Sequence, residues 1–235
     1  MNNSDISQVL SSQSRREILN VLSKHPHDIH SIVEVINIQP TAVRYHLQSL
    51  LRLGLIETYE EKRGIGRPKM YYKLTKKQVY VGFPPRNYLM LSELLIDGMQ
   101  NELSPEETQK ILRLTGYKIG GSLITDLATK NNIDIWAPKQ FIEYYVNEFL
   151  QEIGAQPEVL ESNENHVLVR THSCLFLEIA TKHSELVCDV LDASIHQGIA
   201  DALGNVKVMR TQCMGHGSPH CELDFTWIND STKKV

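Results

Sequence analysis

The chain of 235 residues lacks several things that would narrow its class, and each absence excludes something. It has no run apolar enough to cross a bilayer, so no membrane partner is expected. Met1 to Ser14 lacks the apolar h-region of a signal peptide, which points to a reducing, cytoplasmic compartment and disfavours disulfides. No Gly-x-Ser-x-Gly elbow and no phosphate-binding P-loop occur, and Asp126, Asp134, Glu143 and Glu148 are spaced like ordinary helix-surface charges. No catalytic residue is therefore assigned and no enzyme is expected. There is no internal repeat and no low-complexity tract. No cysteine precedes Cys174, and the Cys-x2-Cys knuckle typical of zinc ribbons is missing.

What is present divides unevenly along the chain. Residues 1–80 carry 12 Lys/Arg against 7 Asp/Glu, net +5, whereas residues 81–235 carry 12 against 21, net −9. A basic head on an acidic body predicts that only the head meets a polyanion.

Within that head, Ser14-Arg-Arg-Glu17 has the form of a capping box, and Ile18, Leu19 and Leu22 follow at helical spacing. Asp28 can cap a second helix bearing Ile32, Val33 and Ile36. Pro40 suits the first position of a third, whose stripe of Val43, Leu47, Leu50 and Leu51 faces the core until Gly54 ends it. That stripe turns Thr41, Arg44, Tyr45, Gln48 and Arg52 outward. Two strand-like runs, 55–60 and 69–74, are joined by a basic, glycine-containing segment. Three helices and a hairpin in this order are the pattern of a winged helix, which sets its third helix in the major groove of double-stranded operator DNA. Arg44 and Gln48 can read base edges, whereas Lys62, Arg63, Arg67 and Lys69 suit phosphates or a narrow minor groove, with Gly64 and Gly66 permitting close approach. The alternative is a solvated basic hairpin with a protein-binding role.

Beyond the head, Phe83-Pro84-Pro85 marks a boundary. Tyr88, Leu91, Leu94, Leu95 and Met99 form an apolar helical stripe, and a homodimer seam is expected there because two half-sites need two heads. Ser104-Pro-Glu-Glu107 starts a helix to about Lys130 whose Gly116, Gly120 and Gly121 suit close helix packing. A third helix from Pro138 to Ile153 leads into alternating runs, 157–161 and 166–172.

The cysteines are spaced Cys-x13-Cys-x24-Cys-x7-Cys. Their plainest reading is four small buried hydrophobes; metal ligation leads, with an iron-sulfur cluster, 4Fe-4S or 2Fe-2S, ahead of zinc, since clusters are commonly held by four cysteines drawn from distant turns. A continuous helix would separate Cys174 from Cys188 by roughly 20 Å, so the chain must turn, and His183-Ser184 offers the place. Ser184 is then expected to cap a helix of 185–203, placing Cys188 near N–H groups that favour a thiolate. Cys213 and Cys221 bracket the turn of a hairpin between 205–212 and 222–227. His172, His216 and His220 are possible substitute ligands.

Thr41-Ala-Val-Arg-Tyr-His-Leu47 followed by Leu53-Gly-Leu-Ile56 resembles the recognition helix of ArsR/DeoR-type winged-helix regulators. Gly66-Arg-Pro68, Tyr72-Lys-Leu-Thr75, Phe83-Pro84 and Tyr88 resemble the wing and exit of the SufR-type repressors. Phe149-Leu-x-x-Ile-Gly154, Ser173-Cys-Leu-Phe176 and Glu185-Leu-Val-Cys188 are similar to that family's sensor. The resemblance implies a repressor whose operator affinity follows an iron-sulfur cluster, and hence redox sensing; it carries ligand roles onto Cys174 and Cys188, then Cys213 and Cys221. The family pattern often has proline where this chain has Leu175, and its later cysteine spacing differs. Cys213-x7-Cys221 also resembles the tail of 4-vinyl-reductase-type domains, which bind small molecules; a regulator with a small apolar ligand and structural or zinc-bound cysteines is the alternative.

The expected fold is α+β: a winged helix-turn-helix at 1–82, a helical linker and dimerisation segment at 83–132, and a cysteine-containing mixed α/β sensor at 133–235.

Overall fold

A computed structural model describes residues 11–62, 68–75 and 87–228. The chain forms two compact units, Met1–Arg86 and Asn87–Val235. Residues 83–132, expected as a separate segment, are thus divided, and their helices belong to the second unit. The boundary residues Phe83-Pro84-Pro85 lie outside the described residues.

In the first unit, α1 (Gln13–Lys24), α2 (Ile29–Ile36) and α3 (Pro40–Arg52) precede the antiparallel pair β1 (Ile56–Glu61) and β2 (Lys69–Leu74). The Asp28 carboxylate accepts from Ser31 N–H at 2.9 Å and so caps α2. Asn37, left-handed at φ 51°, ends α2 and turns the chain into α3, where Pro40 occupies the start. Ile18, Ile32, Val43, Leu47 and Leu50 are buried as the stripes require, and Tyr72 of β2 closes the core from the hairpin side. Ser14 falls inside α1, whose N-cap position is Ser12 without a side-chain cap bond.

The second unit opens with α4 (Tyr88–Glu102) and α5 (Pro105–Asn131), the latter started by a complete capping box between Ser104 and Glu107. Helix α6 (138–150) continues from Pro138–Gln140 into a π-helical stretch, Phe141–Leu150. Strands β3 (Pro157–Asn163), β4 (His166–Thr171), β5 (Val206–Gln212) and β6 (Cys221–Trp227) form one antiparallel sheet in the order β3-β4-β6-β5. Between β4 and β5 come the short α7 (Leu177–Ala180) and α8 (184–203), the latter π-helical over Val187–Asp192. Phe141 stands at the centre of the core with Tyr145, Phe225 and Trp227 around it, and the indole of Trp227 donates to the Trp136 carbonyl at 2.9 Å.

Glycine sets how α5 meets α8. A Cβ on Gly120 would stand 2.0 Å from the Ile195 carbonyl oxygen, and one on Gly198 would stand 2.1 Å from that of Tyr117. The two backbones touch where neither residue has a side chain. The spacing of Gly116 and Gly120 had this use; its partner is Gly198.

Candidate functional site: a four-thiol centre and a DNA-facing helix

Four separate elements deliver the cysteines. Cys174 follows β4, Cys188 stands in the π-helical part of α8, Cys213 directly follows β5 and Cys221 begins β6. The turn between Cys174 and Cys188 is made by α7, as the length argument required. The cap differs from expectation: α8 starts at Ser184 itself, with His183 in the cap position and no side-chain cap bond. Cys188 therefore lies past the first turn, away from the unpaired N–H groups.

All four thiols are free and share one cluster with Ala180, Val187, Ile179 and Ile96. They are arranged as two pairs. The Cys174 thiol donates to the Cys221 sulfur, which also accepts from the Met214 N–H at 3.3 Å. Those two donors, Cys174 first, draw Cys221 down to about 6, while the shared hydrogen bond and burial hold Cys174 protonated. Burial, then the hydrogen bond with Cys213, pushes Cys188 up to about 12. The low pKa expected at Cys188 from a helix start is thus not found there; burial raises it, and Cys221 is the thiol drawn down. Gly215 lies over the Cys188 sulfur so closely that a Cβ there would come within 2.4 Å of it.

Arg210 of β5 supplies the positive charge of the centre. Its guanidinium donates to the Cys188 carbonyl at 2.8 Å, to Asp192 at 3.1 Å and to Asp189 at 2.7 Å. Reading the cysteines alone missed it, although a lone cation three residues before Cys213 was the signal. The three histidines considered as substitutes are taken by carboxylates: His172 by Glu158, His216 by Asp189 and His220 by Glu222. Among the described residues, no three His, Cys, Asp or Glu side chains are placed to hold one metal ion.

Beside the first thiol pair is a half-open pocket of about 90 Å³. Cys174 and Cys221 line it, and Cys188 and Cys213 do not. Tyr145, Leu150, Ala155 and Leu223 give it apolar walls, and Thr171, Ser173, Asp192, His196 and Arg210 a polar side. No sequence pattern could have marked it, because its lining comes from five elements and two loops.

In the first unit, Thr41, Arg44, Tyr45, Gln48 and Arg52 all lie on the exposed side of α3, opposite Val43, Leu47 and Leu50. Lys62 is exposed at the end of β1. Arg63 and Arg67, with Gly64 and Gly66, lie outside the described residues. Lys69 pairs with Asp28 at 3.1 Å, so its ammonium already serves the α2 cap. The side chains of Tyr88, Leu91, Leu94 and Leu95 are exposed on α4, which has no buried residue. Among the described residues, no helix is long and apolar enough to cross a membrane.

Residues 86–225 match the family model described as L-2-amino-thiazoline-4-carboxylic acid hydrolase, and residues 12–58 match that of the bacterial regulatory proteins of the arsR family. No curated protein matches the chain. Among solved structures, a trafficking protein particle complex subunit 3 from Naegleria fowleri covalently bound to palmitic acid is 14% identical, with a TM-score of 0.40 over 60% of this chain and 92% of that one. An H-NOX protein from S. oneidensis in the Fe(II) ligation state is 18% identical, with a TM-score of 0.39 over 69% and 84%. Bacillus subtilis PadR in complex with operator DNA is 15% identical, with a TM-score of 0.27 over 59% and 83%.

Proposed function

Because the chain belongs to the L-2-amino-thiazoline-4-carboxylic acid hydrolase family through residues 86–225 and carries an ArsR-type DNA-binding head, we propose that it is a homodimeric repressor controlled by its four-thiol centre. The carrying observation is that four cysteines scattered over 48 residues of sequence meet in one sheltered cluster next to a half-buried arginine. Packing alone does not call for that, since small apolar residues would fill the same volume without a guanidinium to neutralise.

The group proposed for the centre is an iron-sulfur cluster of the kind held by SufR-type repressors. The donor set fits. All four donors are soft thiols, none is tied up in a disulfide, and Arg210 offsets part of the negative charge. Cys174, Cys188, Cys213 and Cys221 would hold it, and it would supply one-electron chemistry at that place. Among the described residues no three of these side chains converge on one point, so the two thiol pairs would have to draw together around a cluster or around a single zinc ion.

The chain's own part is to transmit the state of the centre. Ile96 of α4 packs against the thiol cluster, and Glu93 of α4 pairs with Lys182, which follows α7. A change in thiol packing is therefore felt by α4, the helix nearest in sequence to the head. A second copy covering Leu91, Leu94 and Leu95 would set the spacing of two recognition helices, and operator affinity follows that spacing.

A second reading is favoured by the pocket at Cys174 and Cys221. In it the pocket holds a small apolar ligand as the signal, and the thiols are structural. The family's named activity is hydrolysis of a small molecule, which is compatible with a pocket of this kind.

The deciding experiment is an absorption spectrum with iron, sulfide and zinc analysis on anaerobically purified chain, followed by operator binding with and without the chromophore. Iron and sulfide lost together in Cys188→Ser, with changed operator affinity, is the expected result. A colourless protein with full operator response, or one zinc per chain, overturns the cluster and leaves the second reading.

A further inference from the structure

One ring on the DNA-facing side of α3 differs in chemistry from its neighbours there. We propose that Tyr45 is a specificity determinant of the head, its ring packing against the 5-methyl group of a thymine in the major groove. This rests on the DNA-binding reading of the head and is independent of what the four thiols hold.

Position selects Tyr45. At 3.6 residues per turn it points nearly opposite to the mean direction of Val43, Leu47 and Leu50, the residues that α3 buries. A side chain on that line faces the floor of the groove, where the bases are, rather than the phosphates at its rims. Thr41, Arg44, Gln48 and Arg52 share the exposed side and end in polar or charged groups, whereas Tyr45 presents a ring that is 59% exposed. The half-buried His46 meets that ring edge-on, with ring centres 5.6 Å apart, and leaves most of it open. A solitary exposed ring elsewhere on the surface calls for no explanation. On this side of α3 it enters the groove and is matched, or mismatched, by what it meets.

The groove offers one match. Base edges in the major groove present ring nitrogens and carbonyl oxygens as acceptors, amino groups as donors, and a single apolar group, the 5-methyl of thymine. A ring set over a carbonyl or amino group would strip its water without supplying a hydrogen bond, which is unfavourable. Set over the methyl group, it removes apolar surface from water on both sides. The rival role for Tyr45 is that its hydroxyl donates to a phosphate, a contact that carries no sequence information. The two roles separate cleanly: one needs the ring and the methyl group, the other needs only the oxygen. Gln48 stands about 4.5 Å further along the helix axis, little more than one base-pair step of roughly 3.4 Å. The thymine is therefore expected within two base pairs of the position that Gln48 reads.

The test uses the full chain to enrich preferred duplexes from a random pool. Each thymine of the enriched sequence is then replaced singly by deoxyuridine, which removes the methyl group and keeps the base pair. Affinities are read by fluorescence anisotropy for the unaltered chain, Tyr45→Phe and Tyr45→Ala. One thymine per head should be sensitive, its replacement weakening binding by about fourfold, the factor for one buried methyl group. Tyr45→Phe should keep that factor and Tyr45→Ala should abolish it. The proposal is overturned by a series with no sensitive thymine, by a sensitive thymine whose loss Tyr45→Ala feels equally, or by one more than two base pairs from the position that Gln48→Ala relaxes. It is also overturned if Tyr45→Phe is as weak as Tyr45→Ala on every duplex, which would assign the hydroxyl to a phosphate. The deoxyuridine series on the unaltered chain is decisive even if a variant misfolds. A pool that yields no preferred sequence overturns the DNA-reading role of the head itself, whereas a preferred sequence indifferent to deoxyuridine overturns only the role of Tyr45.

Discussion

Replacing Gly120 by alanine is the most direct test of how α8, which carries Cys188 and Asp192, is held in place. The new methyl would lie 2.0 Å from the Ile195 carbonyl oxygen, 2.9 Å from its carbon and 3.0 Å from the Ile199 nitrogen. All three are backbone atoms, so no side chain can swing away. Ordinary contact begins near 3.4 Å, and the crossing must open by more than an ångström, loosening Ile124 and Ile199 from the core. Overpacking of this kind costs about 1–3 kcal/mol, and alanine's better helix propensity returns at most about 1 kcal/mol. A net loss of about 2 kcal/mol lowers the melting temperature of a unit this size by roughly 4–8 °C. Gly121→Ala is the internal control. Its nearest atom would be 3.7 Å away, so alanine should be neutral or stabilising by up to about 1 kcal/mol. Calorimetry of both variants, with thiol titration by a chromogenic disulfide, reads the two effects. Equal shifts for the two alanines would refute the close-crossing argument; so would a destabilised Gly120→Ala whose Cys188 stayed as unreactive as before, since α8 would then not have moved.

On α3, Arg44→Ala and Gln48→Ala should each remove about 1–3 kcal/mol of preference for operator over random DNA, whereas Lys62→Ala should weaken both alike and reduce the salt slope by about 0.9; fluorescence anisotropy over a salt series separates these outcomes. The Asp28 carboxyl is held down to about 2, first by the Ser31 N–H and then, against some burial, by Lys69. Its contribution is therefore complete above the ordinary carboxylate range near 3.8 and is lost as pH falls towards 2, so acid unfolding of the head should shift to higher pH in Asp28→Ala, with about 1 kcal/mol lost at neutral pH. Ile96→Ala combined with Glu93→Gln should leave DNA binding itself intact but make operator affinity indifferent to the state of the thiol centre; retention of the full response in an anisotropy titration would show that α4 is not the connection.

The head was legible because its signals are local. Asp28, Pro40 and Gly54 punctuate the helices, and a single stripe on α3 decides which residues face out. The long helices of the second unit were legible for the same reason, with the Ser104 box the clearest signal. The thiol centre was legible only as a meeting of four cysteines. Which sulfur pairs with which depends on the order β4-β6-β5, since β4 and β6 bring Cys174 beside Cys221 while β5 and α8 bring Cys213 beside Cys188. The π-helical turn at Cys188 and the role of Arg210 are likewise products of packing rather than spacing.

Why the thiols should reach α4 at all follows from the weakness of that helix. It has 15 residues and none is buried; Leu94 and Leu95 are 57% and 60% exposed. A helix of that length is marginal by itself in water, so its position rests on whatever few contacts it makes. Among the described residues those contacts include Ile96 against the thiol cluster, Glu93 with Lys182, and the Thr108 hydroxyl of α5 on the Met99 carbonyl. Two of the three depend on the segment 174–188, whose ends are both cysteines and whose middle, α7, is a single turn. A group that tied those cysteines together would act on that turn directly, because it lies between two of them. An element so lightly held, with Leu91, Leu94 and Leu95 exposed on it, is the part of the second unit outside the sheet that a change at the thiols would reach first.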